Sequence, residues 1–286
     1  MVAEVLEYLA PARGGLFLDC TVGLGGHARA LLESGATRVI GLDRDPVALD
    51  RARETLHPWR DRIELVHTDY RDLEQVLDVR GIATIDGALA DLGVSSMQLD
   101  AEGRGFSFRR DEPLDMRMDT TAGMTAADAL QAADEGTLAN VIYQFGEERH
   151  SRRIARAIVR ARERGGIKTT GQLADVVRRA VPQRGYRRID PATRTFQAIR
   201  IWVNRELEGL DAFLIAAVRR LSSGARLVVI TFHSLEDRIV KHTLRLLQAS
   251  ETGITVLTKR PIVPTESEIA CNPRARSAKL RAVERV

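Results

Sequence analysis

The chain has 286 residues, of which 44% are hydrophobic and 29% are charged, and a formal net charge of +4. This composition is typical of a globular protein and excludes a disordered or fibrous chain, and the length allows one large domain or two smaller ones. No apolar run approaches the roughly 18 residues of a membrane span, and the first ten residues lack the basic and apolar regions of a signal peptide. We therefore expect a cytoplasmic protein with no membrane partner, whose two cysteines, Cys20 and Cys271, are reduced thiols.

Short β-rich apolar runs alternate with amphipathic stretches near both ends of the chain. They predict strands at residues 16–19, 38–43, 63–67, 85–91 and 226–232, with helices at 26–34 and 46–56. This alternation indicates βαβ units, and hence a parallel sheet with helices on both faces.

The alternation stops between residues 106 and 205, where the pattern is almost entirely helical. Helices are predicted at 125–133, 138–145, 151–163 and 170–181, and a further helix over 204–221 leads into the last strand. We therefore predict an α/β domain formed by residues 1–105 and 206–286. A helical domain over residues 106–205 is predicted to be inserted into it.

Basic residues are concentrated in this insertion. Residues 106–205 hold 19 Lys and Arg against 12 Asp and Glu, whereas the rest of the chain holds 24 against 27. Residues 145–205 alone hold 16 basic and 5 acidic residues, with arginine far outnumbering lysine. Such a stretch is typical of proteins that contact a nucleic-acid phosphate backbone, although a solvated helix face is an equally good explanation.

Ligands of an open α/β sheet bind beyond the carboxyl ends of its strands. After the first strand, residues 23–28 match G-x-G-x-x-A, a turn that lets the backbone approach a ligand and that opens a helix. Asp43, after the second strand, is placed to accept a hydrogen bond from a ribose hydroxyl. Both features favour an adenosine cofactor without separating NAD from S-adenosylmethionine, and a glycine turn with only a structural role is the alternative.

Acidic residues at three strand ends favour S-adenosylmethionine. Asp19 lies beside the glycine turn, where a carboxylate repels a pyrophosphate and attracts the ammonium of a methionine moiety. After the third strand, Asp69 offers an acceptor to an adenine amino group and Tyr70 a ring to cover its face, although Asp69 fits a surface turn equally well. After the fourth strand, Asp91 precedes a tight glycine turn at the centre of the sheet, where we expect it to face the methyl donor. An NAD-dependent dehydrogenase is disfavoured by Asp19 and stays an alternative.

Seven longer motifs resemble those of a known family. They are D-x-T-x-G-x-G-G-H at 19–27, D-L-G-V-S-S-x-Q-L-D at 91–100, R-G-F-S-F at 104–108, P-L-D-M-R-M-D at 113–119, P-A-T-R-T-F-Q-A-I-R-I at 191–201, H-S-L-E-D-R at 233–238 and N-P-R-A-R-S-A-K at 272–279. In this order they closely resemble the bacterial ribosomal RNA small-subunit methyltransferase H family, also called MraW. The resemblance implies a class I, Rossmann-like methyltransferase domain that uses S-adenosylmethionine (S-adenosyl-L-methionine) to methylate N4 of a decoding-centre cytidine in 16S ribosomal RNA.

The resemblance also implies site residues. Contacts to the cofactor are expected from Gly25, Gly26, His27, Asp43, Tyr70, Asp91 and Gln98. Gln98 is implied by the resemblance alone, and for His27 the alternative is a solvent-facing residue at a helix start. No metal site is implied.

Further residues are candidates for the RNA side of the site, because they flank the insertion or follow the last strand. They are Asp115, Arg194, Arg200, Asn204 and His233. Each has a structural alternative: arginines that pair with carboxylates inside the fold, a helix cap for Asn204, or a buried, hydrogen-bonded ring for His233. Phe106 and Phe108 fit core positions better than base-stacking platforms.

Asp91 is the candidate catalytic residue. Displacement at a sulfonium methyl needs alignment of the nucleophile rather than a metal or a covalent intermediate. A hydrogen-bond acceptor on the N–H of the cytosine amine favours its reactive, pyramidal form. Because that amine lies in a paired or stacked base, the nucleotide must be splayed into the pocket, with the helical insertion holding the surrounding RNA.

The expected partner is 16S ribosomal RNA, within the small ribosomal subunit or its precursor, and the protein itself is expected to be a monomer or a homodimer. A non-catalytic RNA-binding assembly factor is the alternative that the basic insertion suggests. Residues 272–286, with five basic residues and one acid, are expected to add phosphate contacts. Relatives usually begin with a short His-x-Pro-Val-type segment before the stretch that matches Glu4. If that segment helps to close the cofactor site, we expect the site of this chain to be impaired.

Overall fold

The residues described by this computed structural model are 1–182 and 190–286, and seven strands among them form one mixed sheet. The strands are β1 (Leu16–Asp19), β2 (Arg38–Asp43), β3 (Ile63–His67), β4 (Ile85–Asp91), β5 (Leu221–Thr231), β6 (Ile254–Val256) and β7 (Lys279–Arg285). Their order in the sheet is β3-β2-β1-β4-β5-β7-β6. Strands β1 to β5 pair in parallel, whereas β7 is antiparallel to both β5 and β6. The five predicted strands and their parallel arrangement are confirmed.

The α-helices of the described residues follow in chain order. They are α1 (Val2–Leu9), α2 (Gly26–Glu33), α3 (Pro46–Leu56), α4 (Leu73–Val79), α5 (Ser96–Asp100), α6 (Ala126–Ala132), α7 (Glu135–Gly146), α8 (Ser151–Arg162), α9 (Thr170–Ala180), α10 (Ala192–Asn204), α11 (Leu210–Arg219), α12 (Ser234–Ser250) and α13 (Glu266–Cys271). The chain separates into two compact units, Met1–Gly93 with Leu207–Val286, and Val94–Glu206. In the described part of the chain, no helix combines the length and the apolar character that crossing a membrane requires.

Both faces of the sheet in the first unit are covered by apolar side chains. Leu18 of β1 and Val229 of β5 belong to one buried cluster, together with residues of α4, α11 and α12. Their neighbours Phe17 and Val228 belong to a second cluster, with residues of α1, α2 and α3. Successive strand residues point to opposite faces, so strands that are buried on both faces are apolar at nearly every position. This explains the continuous apolar runs in the sequence.

The C-terminal segment forms β7, which lies between β5 and β6. Leu280, Ala282 and Val283 are fully buried, and the basic side chains are directed to partners within the fold. Arg281 Nε donates to Asp237 Oδ1 at 2.7 Å, and Arg285 Nη1 donates to the carbonyls of Arg219 and Leu221. Residues 279–285 are therefore a strand inside the sheet. This strand was not predicted from the sequence, because the basic residues were interpreted as contacts to phosphates.

The second unit has a core of its own. Leu138 and Ile142 of α7, Ile154 and Ile158 of α8, and Leu173 of α9 are fully buried in one apolar cluster. Helices α7 and α10 pack closely at Gly146, where a Cβ atom would lie 2.6 Å from the carbonyl oxygen of Arg194. A glycine is needed there because a larger residue would force the helices apart.

Two predicted boundaries differ from the structure. Residues 94–105 belong to the helical unit and not to the α/β unit, because Val94 and Leu99 pack against the helical core. The helix predicted over 204–221 is present but shorter: α10 ends at Asn204, and α11 spans Leu210–Arg219. Arg205, with a φ of 51°, is the left-handed C-cap that ends α10, and Gly209, with a φ of 68°, precedes α11 as its N-cap.

Candidate active site

The glycine turn after β1 presents backbone to open space at the start of α2. Gly23 and Gly25 have φ angles of 53° and 85°, which L side chains rarely adopt. A Cβ atom at Gly25 would lie 2.9 Å from the Leu56 side chain, whereas a Cβ at Gly26 would meet nothing within 4 Å. Gly26 is the first residue of α2, where backbone N–H groups have no partner within the helix. A ligand can therefore approach the backbone here.

Asp43 fixes the conformation of this turn. Its Oδ2 accepts a hydrogen bond from the Gly23 N–H at 2.8 Å, and its Oδ1 accepts one from the Asp45 N–H at 2.9 Å. Burial raises the pKa of Asp43 above its ordinary value, although the two hydrogen bonds oppose the rise. Because each carboxylate oxygen has a second lone pair, the predicted hydrogen bond to a ribose hydroxyl is compatible with this arrangement.

Asp19, at the carboxyl end of β1, is buried with one oxygen unsatisfied. The residue is 1% exposed, and its Oδ1 accepts a hydrogen bond from the Thr21 N–H at 3.2 Å. Its Oδ2 has no hydrogen-bond partner among the described residues. Burial raises the pKa of Asp19 to about 7, and the charges of Asp91 and Asp43 add to the effect. A buried, unpaired carboxyl oxygen costs free energy unless a donor or a cation meets it.

His27 connects this carboxyl group to Asp91. His27 Nε2 lies 3.5 Å from Asp91 Oδ2, and the His27 side chain is 18% exposed. Burial alone lowers the pKa of His27, but the hydrogen bond and the charge of Asp91, aided by Asp19, raise it above the ordinary value. The solvent-facing alternative for His27 is therefore wrong. Its Nδ1 has no hydrogen-bond partner in the described part of the chain.

Asp91 ends the central strand β4 and is held next to the glycine turn through its backbone. Its N–H donates to Thr21 Oγ1 at 2.7 Å. The side chain is 30% exposed, yet Oδ1 is buried and without a hydrogen-bond partner among the described residues. Asp19, His27 and Asp91 thus form one cluster in which two carboxylate oxygens and one ring nitrogen are unsatisfied. The two carboxylate oxygens, Asp19 Oδ2 and Asp91 Oδ1, are buried acceptors that fit a cationic ligand offering N–H or O–H groups.

After β3, Tyr70 is positioned by a carboxylate clamp that the sequence analysis missed. Both oxygens of Asp69 are 2.7 Å from guanidinium nitrogens of Arg71, and Asp69 Oδ1 also accepts the Arg71 backbone N–H at 3.0 Å. Burial raises the pKa of Asp69, but the hydrogen bonds from Arg71 outweigh it and hold the pKa below its ordinary value. The Tyr70 ring packs on Phe213 with a centroid distance of 4.6 Å. Asp69 thus stabilises a turn, as the structural alternative expects, and its contact with adenine stays a prediction.

The same D-x-R clamp occurs in the second unit at Asp115. Asp115 Oδ1 and Oδ2 lie 2.7 and 2.8 Å from Arg117 Nε and Nη2, and Oδ1 also accepts the Arg117 backbone N–H. Burial raises the pKa of Asp115, but Arg117 outweighs it and lowers the pKa below the ordinary value. The spacing of the two residues is visible in the sequence, so both clamps could have been predicted from it.

Other residues predicted for the site hold the second unit together. Gln98, which is 5% exposed, accepts the Ser95 N–H through Oε1 at 2.9 Å, and Ser95 Oγ accepts the Gln98 N–H, so the pair forms a capping box. Arg200 makes two hydrogen bonds of 2.8 and 2.7 Å to the Glu206 carboxylate. The Arg200 contacts match the structural alternative given for it, a pairing with a carboxylate inside the fold, and the contacts of Gln98 with the cofactor and of Arg200 with RNA stay predictions.

Asn204 links the end of α10 to the segment around Met116. Its Oδ1 accepts the Met118 N–H at 2.7 Å, and its Nδ2 donates to the carbonyls of Met116 at 2.7 Å and Arg200 at 2.9 Å. Asn204 is 2% exposed, and Met116 is fully buried with a left-handed φ of 62°. The amide therefore satisfies buried backbone groups of a conformation that is unfavourable for methionine.

Arg194 and His233 differ from each other in exposure. The Arg194 side chain is 58% exposed and donates to the carbonyl of Glu147 at 3.2 Å. His233 is the N-cap of α12 in the first unit, where its Nδ1 accepts the Glu236 N–H at 3.4 Å. Its Nε2 lies 3.1 Å from Glu236 Oε1, at an angle that makes no hydrogen bond. Arg194 is thus the more accessible candidate for a contact with RNA.

The two phenylalanines named from the sequence also have packing partners. Phe106 is 8% exposed within the apolar core of the second unit. Phe108 contacts Phe196 edge to face at a centroid distance of 4.7 Å, and the Arg178 guanidinium lies 5.7 Å from its ring centroid. Their interpretation as core positions is consistent with these contacts.

One protein family matches the chain along its whole length: residues 1–286 match the model of the MraW methylase family. The chain belongs to this family. A relative from Deinococcus radiodurans, named ribosomal RNA small subunit methyltransferase H, is 54% identical over 286 residues, which cover 100% of this chain and 88% of the relative. A relative of the same name from Geotalea uraniireducens is 48% identical over 303 residues, covering 100% and 97%.

Among solved structures, a putative methyltransferase from Streptococcus mutans in complex with SAH has a TM-score of 0.46 at 12% identity, covering 100% of this chain and 97% of that one. The resemblance predicted from the motifs, the methyltransferase class and S-adenosylmethionine as the cofactor class are confirmed by membership of the family. The cluster around Asp19 fits this cofactor, because an ammonium group is a suitable partner for a buried, unpaired carboxylate oxygen.

The raised pKa of Asp19 predicts a pH-dependent cost to stability. The unfolded carboxyl ionises near 3.8 and the folded one near 7, so the native state holds an extra proton between these values and loses stability as the pH rises through them. Replacing Asp19 by Asn removes this loss. We expect Asp19→Asn to stabilise the protein by roughly 2–3 kcal/mol more at pH 8 than at pH 5, measured by urea unfolding, and to weaken SAH binding. An equal effect at both pH values would contradict the buried, neutral carboxyl.

A second prediction separates the structural role of Asn204 from an RNA contact. Asn204→Ala leaves the Met118 N–H and the Met116 carbonyl buried without their partner. We expect the free energy of unfolding to fall by about 2–4 kcal/mol in urea titrations. Arg194→Ala, at an exposed site on the same helix, should change it by less than about 0.5 kcal/mol. Unchanged stability with reduced RNA affinity in Asn204→Ala would place Asn204 on the RNA side instead.

Proposed function

We propose that this methyltransferase transfers a methyl group from S-adenosylmethionine to the exocyclic N4 amine of the decoding-centre cytidine of 16S ribosomal RNA, within the small ribosomal subunit or its precursor. The observation that carries the proposal is the buried cluster of Asp19, His27 and Asp91 at the carboxyl ends of β1 and β4, with its unsatisfied acceptor atoms. The names of the relatives, which specify small-subunit ribosomal RNA, support the substrate class.

The residues around the glycine turn bind the donor in this proposal. Asp19 Oδ2 meets the ammonium of the methionine moiety, Asp43 accepts from the ribose, and the bare backbone at Gly26 allows close approach. Tyr70, fixed by Phe213 and the Asp69–Arg71 clamp, covers a face of the adenine. When bound, the cofactor supplies an electrophilic methyl group on a good leaving group, so that an in-line displacement suffices.

Asp91 acts on the nucleophile. The lone pair of the cytosine amine is delocalised into the ring, and an acceptor on its N–H favours the pyramidal form that can attack the methyl carbon. Asp91 Oδ1 is a carboxylate oxygen without a partner among the described residues, and so can accept that N–H. As the N–C bond forms, the amine loses a proton, which Asp91 or water accepts. His27, 3.5 Å from Oδ2, holds the carboxylate in orientation.

A dehydrogenase is the weaker candidate because of Asp19. A dinucleotide would bring a pyrophosphate to the turn, where the buried carboxyl and the nearby Asp43 and Asp91 disfavour more negative charge. The same three carboxyl groups favour a cofactor with a positively charged end.

The second unit is, in this proposal, the inserted domain that recognises RNA. Helix α8 buries Ile154, Ala155 and Ile158 on one side, and the opposite side is arginine. These exposed arginines are Arg152, Arg153, Arg156 and Arg160. Three of them, all but Arg156, make no side-chain hydrogen bond or ion pair with any residue that the structure describes, whereas Arg162 on the same helix donates to carbonyls of Leu130 and Gln131.

Arg152, Arg153 and Arg160 differ from arginines that the fold uses, such as Arg117 and Arg200, since no carboxylate of the described residues pairs with them. A row of exposed guanidinium groups along about two helical turns matches the repeated negative charge of a phosphate backbone. The basic segment 184–188 of the sequence lies outside the described residues.

The catalytic role of Asp91 predicts that its replacement lowers turnover without weakening the binding of RNA. We expect Asp91→Asn to lower kcat by about 10²–10⁴, because the amide is a weaker acceptor and cannot take a proton. The assay is incubation of small subunits lacking the modification with labelled S-adenosylmethionine, followed by mass spectrometry of the labelled nucleoside. RNA affinity should be unchanged.

Asp86→Asn is the matched control, because Asp86 begins the same strand and its oxygens bond to Leu16 N and Ser222 Oγ. Its kcat should equal that of the wild type. Undiminished turnover in Asp91→Asn would exclude the proposed role, and label on any nucleoside other than N4-methylcytidine would exclude the proposed substrate atom.

The arginine face of α8 predicts how salt affects RNA binding. Replacing Arg152, Arg153 and Arg160 by Gln should reduce the slope of log Kd against log salt concentration by about 2, since each phosphate contact releases counterions. The triple Lys variant keeps the charges and should keep most of the slope. Filter or fluorescence titration of a small-subunit RNA fragment at several KCl concentrations measures both. Identical slopes for the wild type and the Gln variant would show that α8 does not contact phosphates.

A further inference from the structure

A cavity of about 200 Å³ lies in the first unit between α12 and the strands β6 and β7. Its polar lining comes from Lys241, Arg245 and Gln248 of α12 and from Thr258, Lys259 and Arg281, and its apolar lining from Leu244 and Val256. At roughly 30 Å³ for each water molecule, the volume admits a tetrahedral oxyanion together with some of its hydration. No residue of the active site described above takes part in it.

The cations around this cavity are not compensated by the fold. The side chains of Lys241, Arg245 and Lys259 make no ion pair or hydrogen bond with the described residues. Asp237, one turn before Lys241 on α12, is already engaged by Arg281 Nε at 2.7 Å and by Lys279 Nζ at 3.3 Å. Burial raises the pKa of Asp237, but these two cations outweigh it and hold the pKa below its ordinary value. Three positive charges thus surround one cavity without a counter-charge.

The neutral polar groups of the lining are oriented as donors. Gln248 Oε1 accepts the Val256 N–H at 2.7 Å, which leaves the amide N–H group as the end without a bond to the described residues. Thr258, 4% exposed, accepts the Ala282 N–H at 2.9 Å and keeps its hydroxyl proton to donate. The lining contains no carboxylate. Cationic and N–H or O–H donors without acidic residues suit an oxyanion and would repel a metal ion.

We propose that this cavity binds a phosphate group of the RNA on which the methyltransferase acts. The inference rests on the proposed function for the identity of the polyanion. Helix α12 begins at the carboxyl end of β5 and rises 1.5 Å per residue, so Lys241 to Gln248 lie roughly 10 to 21 Å along the helix from its start. The phosphate held here belongs to RNA that flanks the target nucleotide, not to the nucleotide that reacts.

The test compares charge-removing and charge-keeping variants of the two lysines. Lys241→Gln with Lys259→Gln should weaken binding of a small-subunit RNA fragment several-fold and reduce the slope of log Kd against log salt by about 1. Lys241→Arg with Lys259→Arg should retain the wild-type slope. Arg60→Gln removes another exposed arginine of the same unit, outside the cavity and without a side-chain partner among the described residues, and should also retain it. SAH affinity should be unchanged in all of them.

The outcomes separate this inference from the proposed function. If the wild type binds the RNA with no salt dependence, or does not bind it, the proposed function fails. If the wild type binds as expected and the double Gln variant has the same slope and affinity, only the cavity proposal is overturned. Millimolar inorganic phosphate that raises the Tm of the wild type but not of the double Gln variant, with an unchanged RNA slope, would assign the cavity to free phosphate and overturn the RNA assignment.

Discussion

The burial of Asp19 without a partner for one of its oxygens is the constraint on which the site depends. A carboxyl group at the end of a central strand, 1% exposed, is expensive to ionise, and its pKa of about 7 records that cost. Its immediate surroundings adapt to it: His27 supplies positive charge from the start of α2, and the Thr21 N–H supplies one hydrogen bond. A hydrogen-bond donor or a cation of a bound ligand can satisfy the remaining oxygen. A Leu in place of Asp19 would have added to the stability of the fold. The free energy that the buried carboxyl group costs is instead recovered when a ligand binds to it.

How far the sequence predicts the fold depends on whether local pattern or tertiary context decides each element. Strands β1 to β5 are buried on both faces, so their apolar runs are visible without knowledge of their neighbours. Strand β7 contains four charged residues among seven, and only its insertion between β5 and β6 shows that Arg281 is directed to Asp237 and not to solvent. The break between α10 and α11 depends on a non-glycine residue, Arg205, in a left-handed conformation, which sequence rules assign to glycine or asparagine.

The residues of the candidate site likewise divide into those that the sequence pattern predicts and those that depend on tertiary context. Asp19, the glycine turn, Asp43 and Asp91 follow from strand ends, because parallel strands bring their carboxyl ends to one edge. The link between His27 and Asp91 does not follow, since it depends on the direction in which α2 leaves the turn. For Arg200 and Asn204 the family motifs mark important positions, but hydrogen bonds to Glu206 and to buried backbone account for that importance without RNA. A motif residue can therefore be essential for folding and still lie in a sequence associated with catalysis.

The pairing of β4 with β5 has a consequence for how the protein folds. Ala88 and Leu227 are neighbours in the sheet, yet the whole helical unit lies between them in the chain. Closing a loop of this length costs entropy that rises with the logarithm of the number of free links, and long-range pairing of this kind slows folding. When the helical unit has folded around its own core, the loop between β4 and β5 contains far fewer flexible residues than when that unit is unfolded. The packing of α7, α8 and α9 therefore shortens the effective loop that β4 and β5 must close, and core substitutions in the helical unit are expected to slow the folding of the α/β unit.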